Sequence, residues 1–553
     1  MKSFALAVAG VVALSGAALQ PALSLLPGHY PTATAVDLGT AQLFSEPDPD
    51  AALAGVQIFV SAGLDRQPTQ SSGVAALVAD CIVRTPVASD VAAAPDLQIS
   101  ARRVTESLSQ APIRLPVVVP SGFPVSEASP APQASIEAAP VTAAPTSSTS
   151  PAPSLSASAT PSAPAPAASP SVAPAPTFGL TPSSPKPARV LARPKPLPTQ
   201  SVPVGMLPVR DAIAALGGTL TYTVDGRSAH FYLEGTSSQL PHLIALFAGA
   251  LAKPDFSPGT LAVARASLAS RVSDLEGNAL SVGIQMFRRR YYETGAALPA
   301  LGTAESLASL TSDDATAFYR QNYRRGALYA SAVGNATSAT TDALRSLAAS
   351  LPDGAPAPVV GKAVSIPVSA PRIVARRDVG EPLVVIGFAA PSPGSKDFGA
   401  MLVLESLLSD AFERDSATTL SLAERSVGAF YLYDSSPASL VVYVNGGRVD
   451  PSVALREVLT VVKSLSLKPL GSSALKHFKT AAEGEFVTDS VNLSDRSYLL
   501  GTFATQGLGS DAINAALGAL DRTSGADIQR VAKTYLQRYI VALVLPRSQS
   551  EGT

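Results

Sequence analysis

The residues able to do chemistry are few and far apart. The chain holds four histidines, His29, His230, His242 and His477, and one cysteine, Cys81. Ligation of a metal from one helix needs two such side chains three or four positions apart, and no two of these are so placed. His230 falls in a strand-like stretch and His242 begins a helical one, so each reads as structural. Asp80 and Cys81 are neighbours in GVAALVADCIV, but adjacent helix positions point in different directions. Nucleophilic schemes fare no better, because no G-x-S-x-G elbow stands beside a suitable histidine. YVNGG and GLGS lack the Lys-Ser/Thr ending of a phosphate-cradling loop. A single thiol on an apolar helix face cannot close an internal disulfide and behaves as a small buried hydrophobe.

The elements around Cys81 carry the clearest pattern. Val56–Val60 reads as a strand running into a turn at Gly63, and Asp37–Leu43 reads as another strand before it. The loop DRQPTQSS offers Ser71 or Ser72 as a cap for the apolar helix Gly73–Val83, which Pro86 must end. At 553 residues the chain is too long for one ordinary core. Its net charge of -1 argues against nucleic acid or an anionic membrane surface as partner. Hydrophobic residues make up 46%, yet aromatics only 6% with no Trp, which points to helices packed through small side chains.

Two segments stand outside that pattern. Residues 1–24, MKSFALAVAGVVALSGAALQPALS, place one Lys before an apolar run and small residues after it, the layout of a secretory signal peptide. The alternative is an uncleaved anchor. Export puts the protein in the periplasm, the cell envelope or the extracellular space. From 88 to 203 the chain becomes rich in Pro, Ala and Ser, apart from a short helical stretch at Ile99–Leu108. Such a tract cannot bury enough apolar surface to offset its ordering entropy, so we expect a disordered, solvated spacer.

Beyond it, folded sequence resumes at Met206 with a helix, a hairpin turning at Asp225-Gly226, helices over Gln239–Leu251 and Phe256–Leu275, a helix capped at Thr311, and a closing strand in ALYASAVGN. After a proline-punctuated linker, 351–371, the same order returns. PLVVIGFAAPSPGSKDFGAMLVLESLL parallels VQIFVSAGLDRQPTQSSGVAALVADCIV, and the hairpin and paired helices that follow are repeated in turn. The expected fold class is therefore α+β, with two homologous domains of antiparallel-rich sheet covered by helices. The first spans 31–350, interrupted by the insertion, and the second 372–548.

The duplicated layout resembles the insulinase/pitrilysin-type (inverzincin) metallopeptidases, the family of the mitochondrial processing peptidase subunits. GVAALVADCIV, LAKPDFSP, GTAESLASLTSDDATAFYRQNY and LVVIGFAAPSPGSKDFGAMLVLESLL carry the resemblance over both folded parts. It implies an H-x-x-E-H helix that binds Zn²⁺ and activates water. Those positions fall here on Ala76, Ala79 and Asp80. A further Glu ligand on the long helix falls on Ser270 or Arg271, while Glu276, one turn on, reads as a solvated acid. Zinc is therefore not expected to bind, and no catalytic residue is assigned. The family's R-x-x-x-G-x-x-Y in the second domain matches Tyr431. Arg425 is displaced by one position, with Glu424 in the Arg place. Tyr431 and Arg425 are the candidate peptide-binding residues, with strand packing the competing role for Tyr431.

The resemblance implies a non-catalytic subunit that completes a peptide-binding chamber with an active zinc-peptidase partner, as a heterodimer, or with a second copy as a homodimer. Extended peptide would add to a strand edge. An active metalloendopeptidase with atypical ligands and a stand-alone envelope scaffold are the alternatives.

Overall fold

A computed structural model describes residues 32–39, 41–88, 205–293, 295–355, 366–367, 371–415, 426–445 and 450–547. The signal peptide, the spacer from residue 89 to 203 with its Ile99–Leu108 stretch, His29, Glu424 and Arg425 lie outside them.

The first domain opens with β1 (Thr34–Asp37) and β2 (Gln42–Pro47), paired antiparallel. The single strand expected over Asp37–Leu43 is thus a turn between two strands. Gly39 sits at φ +93, a backbone region open to glycine, and its N–H donates to Asp37 Oδ1 at 2.7 Å. Next come β3 (Leu53–Val60), α1 (Val74–Arg84), β4 (Pro86–Ala88), β5 (Met206–Pro208) and α2 (Val209–Ala215). The hairpin β6 (Thr219–Val224) and β7 (Ala229–Thr236) leads into α3 (Leu240–Ala252), α4 (Pro258–Glu276) and α5 (Ala279–Tyr291). Then α6 (Ala304–Ser309), α7 (Ser312–Asn322), β8 (Leu328–Gly334) and α8 (Ser338–Ser350) close the domain.

The second domain runs β9 (Arg372–Arg377), β10 (Leu383–Ala389), α9 (Phe398–Asp415), β11 (Ser426–Leu432) and β12 (Ser439–Asn445). It ends with α10 (Pro451–Leu467), α11 (Ser472–Thr488), α12 (Leu493–Thr505), α13 (Ala512–Arg522), α14 (Gly525–Tyr535) and β13 (Tyr539–Pro546).

The repeat is legible in the sheets. One has the order β1-β2-β8-β3-β7-β6, the other β9-β13-β10-β12-β11 read from the matching end. In both the closing strand is antiparallel to the central strand on one side and parallel to its neighbour on the other, β8 with β2 and β13 with β9. Only β1 is extra. The ladder β4–β5 sets Ala88 opposite Met206, so the chain leaves for the spacer and returns at adjacent points. An insertion whose ends already touch adds little closure entropy to the domain.

Each sheet packs its own helices on one face, α1 and its neighbours over the first and α9 and its neighbours over the second. On the other face the domains exchange cover. Helix α5 of the first domain lies on β10, β12 and β13 of the second, and α12 of the second lies on β3 and β8 of the first. Ile284, Phe287 and Tyr291 join Leu383, Val385, Val441 and Ile540 in one core. Across the other exchange Arg496 Nη2 meets Glu46 Oε2 at 2.9 Å, both side chains buried. Among the described residues no helix is long and apolar enough to cross a membrane.

Candidate functional site

Helix α1 is buried along nearly its whole length, and its start is set by backbone geometry. Gly73, at φ +89, is the N-cap with no side-chain bond of its own, so neither Ser71 nor Ser72 caps the helix as expected. Instead Gln67 Oε1 accepts the N–H groups of Gly73 at 2.9 Å and Ala75 at 3.3 Å, supplying from a distance the acceptor that a cap normally provides.

At the positions of the H-x-x-E-H pattern, Ala76 and Ala79 are fully buried methyls among apolar neighbours. Asp80 is buried too and is fully engaged. Arg84 Nε lies 2.5 Å from its Oδ2, and the Tyr222 hydroxyl donates to its Oδ1 at 2.8 Å. Tyr222 extends from β6 toward α1, and the Arg271 guanidinium donates to the same hydroxyl at 2.7 Å, sitting 5.4 Å from the ring centroid. Of the two candidates for the further ligand, Arg271 therefore reaches the group while Ser270 is exposed, as is Glu276. Burial, reinforced by the Asp80 carboxylate, drives the Tyr222 hydroxyl well above its usual range, so it stays a donor. Sequence alone gave no signal for Tyr222, because its alternating strand context reads as packing.

This donor set does not suit a zinc ion. Two positions have no lone pair to offer, the one carboxylate is held by a guanidinium and a phenol, and the fourth position carries a permanent positive charge. Two arginines supply the positive charge that balances the Asp80 carboxylate. Among the described residues no three His, Cys, Asp or Glu side chains gather into a metal-binding group. His242 and His477 are on the surface. His230 is buried, stacked 5.2 Å from Phe59 and tilted against Tyr498 at 4.9 Å, and burial drives its pKa down to about 3. Burial, with Asp80 alongside, likewise pushes the Cys81 thiol well up, leaving it unreactive.

The second copy holds a matching trio. Arg271 and Glu485 each lie fourteen positions beyond their helix N-caps, Ser257 and Gly471. Asp80 corresponds to Glu405 in the parallel runs AALVADC and AMLVLES. Glu405 Oε1 accepts the Tyr431 backbone N–H at 2.7 Å, and Ser406 donates to Glu485 Oε1 at 3.3 Å. Burial pushes Glu405 up to about 8, with Glu485 and Asp489 adding to the rise against the Tyr431 hydrogen bond. Tyr431, the proposed peptide contact, is 5% exposed, packs 5.5 Å from Phe398, and its hydroxyl donates to the Pro391 carbonyl. In this conformation its polar end is used inside the domain.

A second cluster escaped the sequence reading. The β6–β7 and β11–β12 turns, both read only as hairpin turns, bring Asp225 and Asp434 together with Asp65 of the loop after β3. Burial raises all three, Asp65 to about 6 and Asp225 to about 7. An aspartate at the same turn in both copies was the available signal.

A duplicated α+β fold thus carries two buried methyls and an arginine-paired carboxylate at the three positions of the H-x-x-E-H pattern. The description "Peptidase M16 inactive domain" matches residues 309–474. Over those residues the chain is similar to the inactive domain of the insulinase-type (M16) peptidases. A protease from Helicobacter pylori shares its fold with a TM-score of 0.66 and 12% identity, over 94% of this chain and 100% of the other. A peptidase M16 inactive domain from Pseudomonas fluorescens superposes with a TM-score of 0.64 at 11% identity, covering 94% and 99%. A chain of complex III2 from Candida albicans gives 0.58 at 11%, covering 91% and 93%. No curated protein matches the sequence.

Proposed function

We propose that this protein is the non-catalytic subunit of an exported peptide-handling assembly, pairing with an active zinc peptidase of the same fold. The observation that carries this reading is the Arg84–Asp80–Tyr222–Arg271 network, which satisfies in full the helix that would otherwise present a metal. A scaffold kept intact around a closed site is of use for shape and for contacts. The partner would supply the zinc and the water-activating carboxylate, and this chain would complete the enclosing surface and hold extended peptide by strand addition. Arg425 and Tyr431 are the side chains that the family pattern assigns to that role. Tyr431 would have to release Pro391 to serve it. The apolar N-terminal run supports export, and a homodimer is the alternative assembly.

Co-purification from the native host tests the proposal, with mass spectrometry of the captured chain. We expect a stoichiometric partner carrying an intact H-x-x-E-H, and no zinc in the isolated protein by elemental analysis. Stoichiometric zinc together with peptide cleavage by the isolated chain would overturn the reading.

A further inference from the structure

The two hairpin tips meet between the domains. A Cβ on Gly226 would come within 2.5 Å of Ser435 Oγ, so the β6–β7 turn lies directly against the β11–β12 turn. Asp225 and Asp434 are the corresponding residues at the entrance to each turn, and the Asp434 charge reaches Asp225. Asp225 Oδ1 accepts the N–H groups of Arg227 at 2.8 Å and Ser228 at 2.6 Å, which pins its carboxyl in the turn. The loop after β3 completes the contact, with the Asp65 N–H donating to the Gly226 carbonyl at 2.8 Å.

Several charged and titratable groups face this pair. Arg227 and His230 come from the first hairpin, Tyr433 from the second, Asp65 and Arg66 from the loop, Arg288 from α5, Tyr292 from just after it, and Tyr498 from α12. His230 Nε2 lies 3.8 Å from Asp225 Oδ2 and, buried, stays neutral in any ordinary buffer. The tyrosines stay protonated, Tyr292 being pushed by burial up to about 12. The arginines stay charged. That leaves the three carboxyls, each raised above its ordinary value by burial, as the groups whose charge responds to pH here.

We propose that the paired hairpin tips form a pH-gated clamp between the two domains: a proton held on Asp225 and Asp434 keeps the tips together, and ionisation of both lets them part. This stands independently of the non-catalytic role. The direction follows from linkage. The closed contact holds a proton that an opened, hydrated carboxyl releases, so opening becomes easier as pH rises above the ordinary aspartate range. The effect levels off once the closed form has also ionised.

Hydrogen–deuterium exchange of the full chain, corrected for the intrinsic pH dependence of exchange, reads this directly. Amide protection in peptides covering the two turns should fall between about pH 4.5 and about pH 7, by up to about tenfold per pH unit for each carboxyl that ionises, then flatten. Protection of α1 should stay level over the same range. In Asp225→Asn, whose side-chain oxygen can still accept the turn N–H groups, the slope at the tips should flatten, and likewise in Asp434→Asn. Wild-type tip protection that is level across the range overturns the proposal, whether or not the variants fold. So does an unchanged slope in both folded variants.

Discussion

The Phe59 ring of β3 lies flat in the space left by the missing side chain of Gly501 on α12, so closely that any Cβ there would overlap it. The other exchange reverses the arrangement, with the ring of Phe287 on α5 seated over Gly387 of β10. Phe287 and Gly501 both stand nine positions beyond their helix caps, Asn278 and Asn492. The two copies thus solve one packing problem with opposite assignments of ring and glycine. The close approach that results is what joins the domains.

Gly501→Ala should therefore destabilise. Overpacking a fully buried ring costs about 1–3 kcal/mol, against about 1 kcal/mol gained by removing glycine from a helix. In a Phe59→Leu background the overlap disappears, and the same change should become stabilising. Urea denaturation of the four proteins gives both signs. A loss unaltered by Phe59→Leu would show that the ring is not the obstacle.

Glu46→Gln should loosen the domain contact. The Glu46 carboxyl is raised above its ordinary value by burial, which outweighs the Arg496 charge beside it, so the pair is held in a poorly solvated place. Removing one partner leaves a buried guanidinium uncompensated, for a loss of about 3–5 kcal/mol. The double change Glu46→Leu with Arg496→Leu should recover most of that loss. Equal destabilisation in single and double variants would mean that the charge is not the cause.

Asp80→Leu should likewise cost about 3–5 kcal/mol, because Arg84 loses its buried partner and the Tyr222 hydroxyl its acceptor. Adding Arg84→Leu should restore part of the stability. If the Asp80 substitution left the denaturation midpoint unchanged, the network would have no part in fixing α1.

Glu405 gives a pH dependence of definite sign. Its folded pKa, raised from 4.5 to about 8, means the folded chain holds a proton that the unfolded chain has released at intermediate pH. Its contribution to stability is thus present below the unfolded value, declines as pH rises, and is lost above about 8. Thermal midpoints at about pH 5 and about pH 8 should differ less in Glu405→Gln than in wild type, since the amide oxygen still accepts the Tyr431 N–H. Equal slopes would place the titration elsewhere.

The duplication, the α+β class and the position of α1 were legible in the sequence, since these rest on local periodicity and turn residues. Local detail was misread at the Asp37–Leu43 turn and at the cap of α1, where a positive-φ glycine and the distant Gln67 replace the expected serine. What surrounds Asp80 was settled only by the folded chain. Tyr222 and Arg271 are 142 and 191 positions from Asp80, and nothing in strand or helix periodicity says which side chains a fold will bring to one carboxylate. The exchanged helices and the facing turn aspartates belong to the same class, because they depend on how one copy docks on the other, and that is set by complementary shape across the domains.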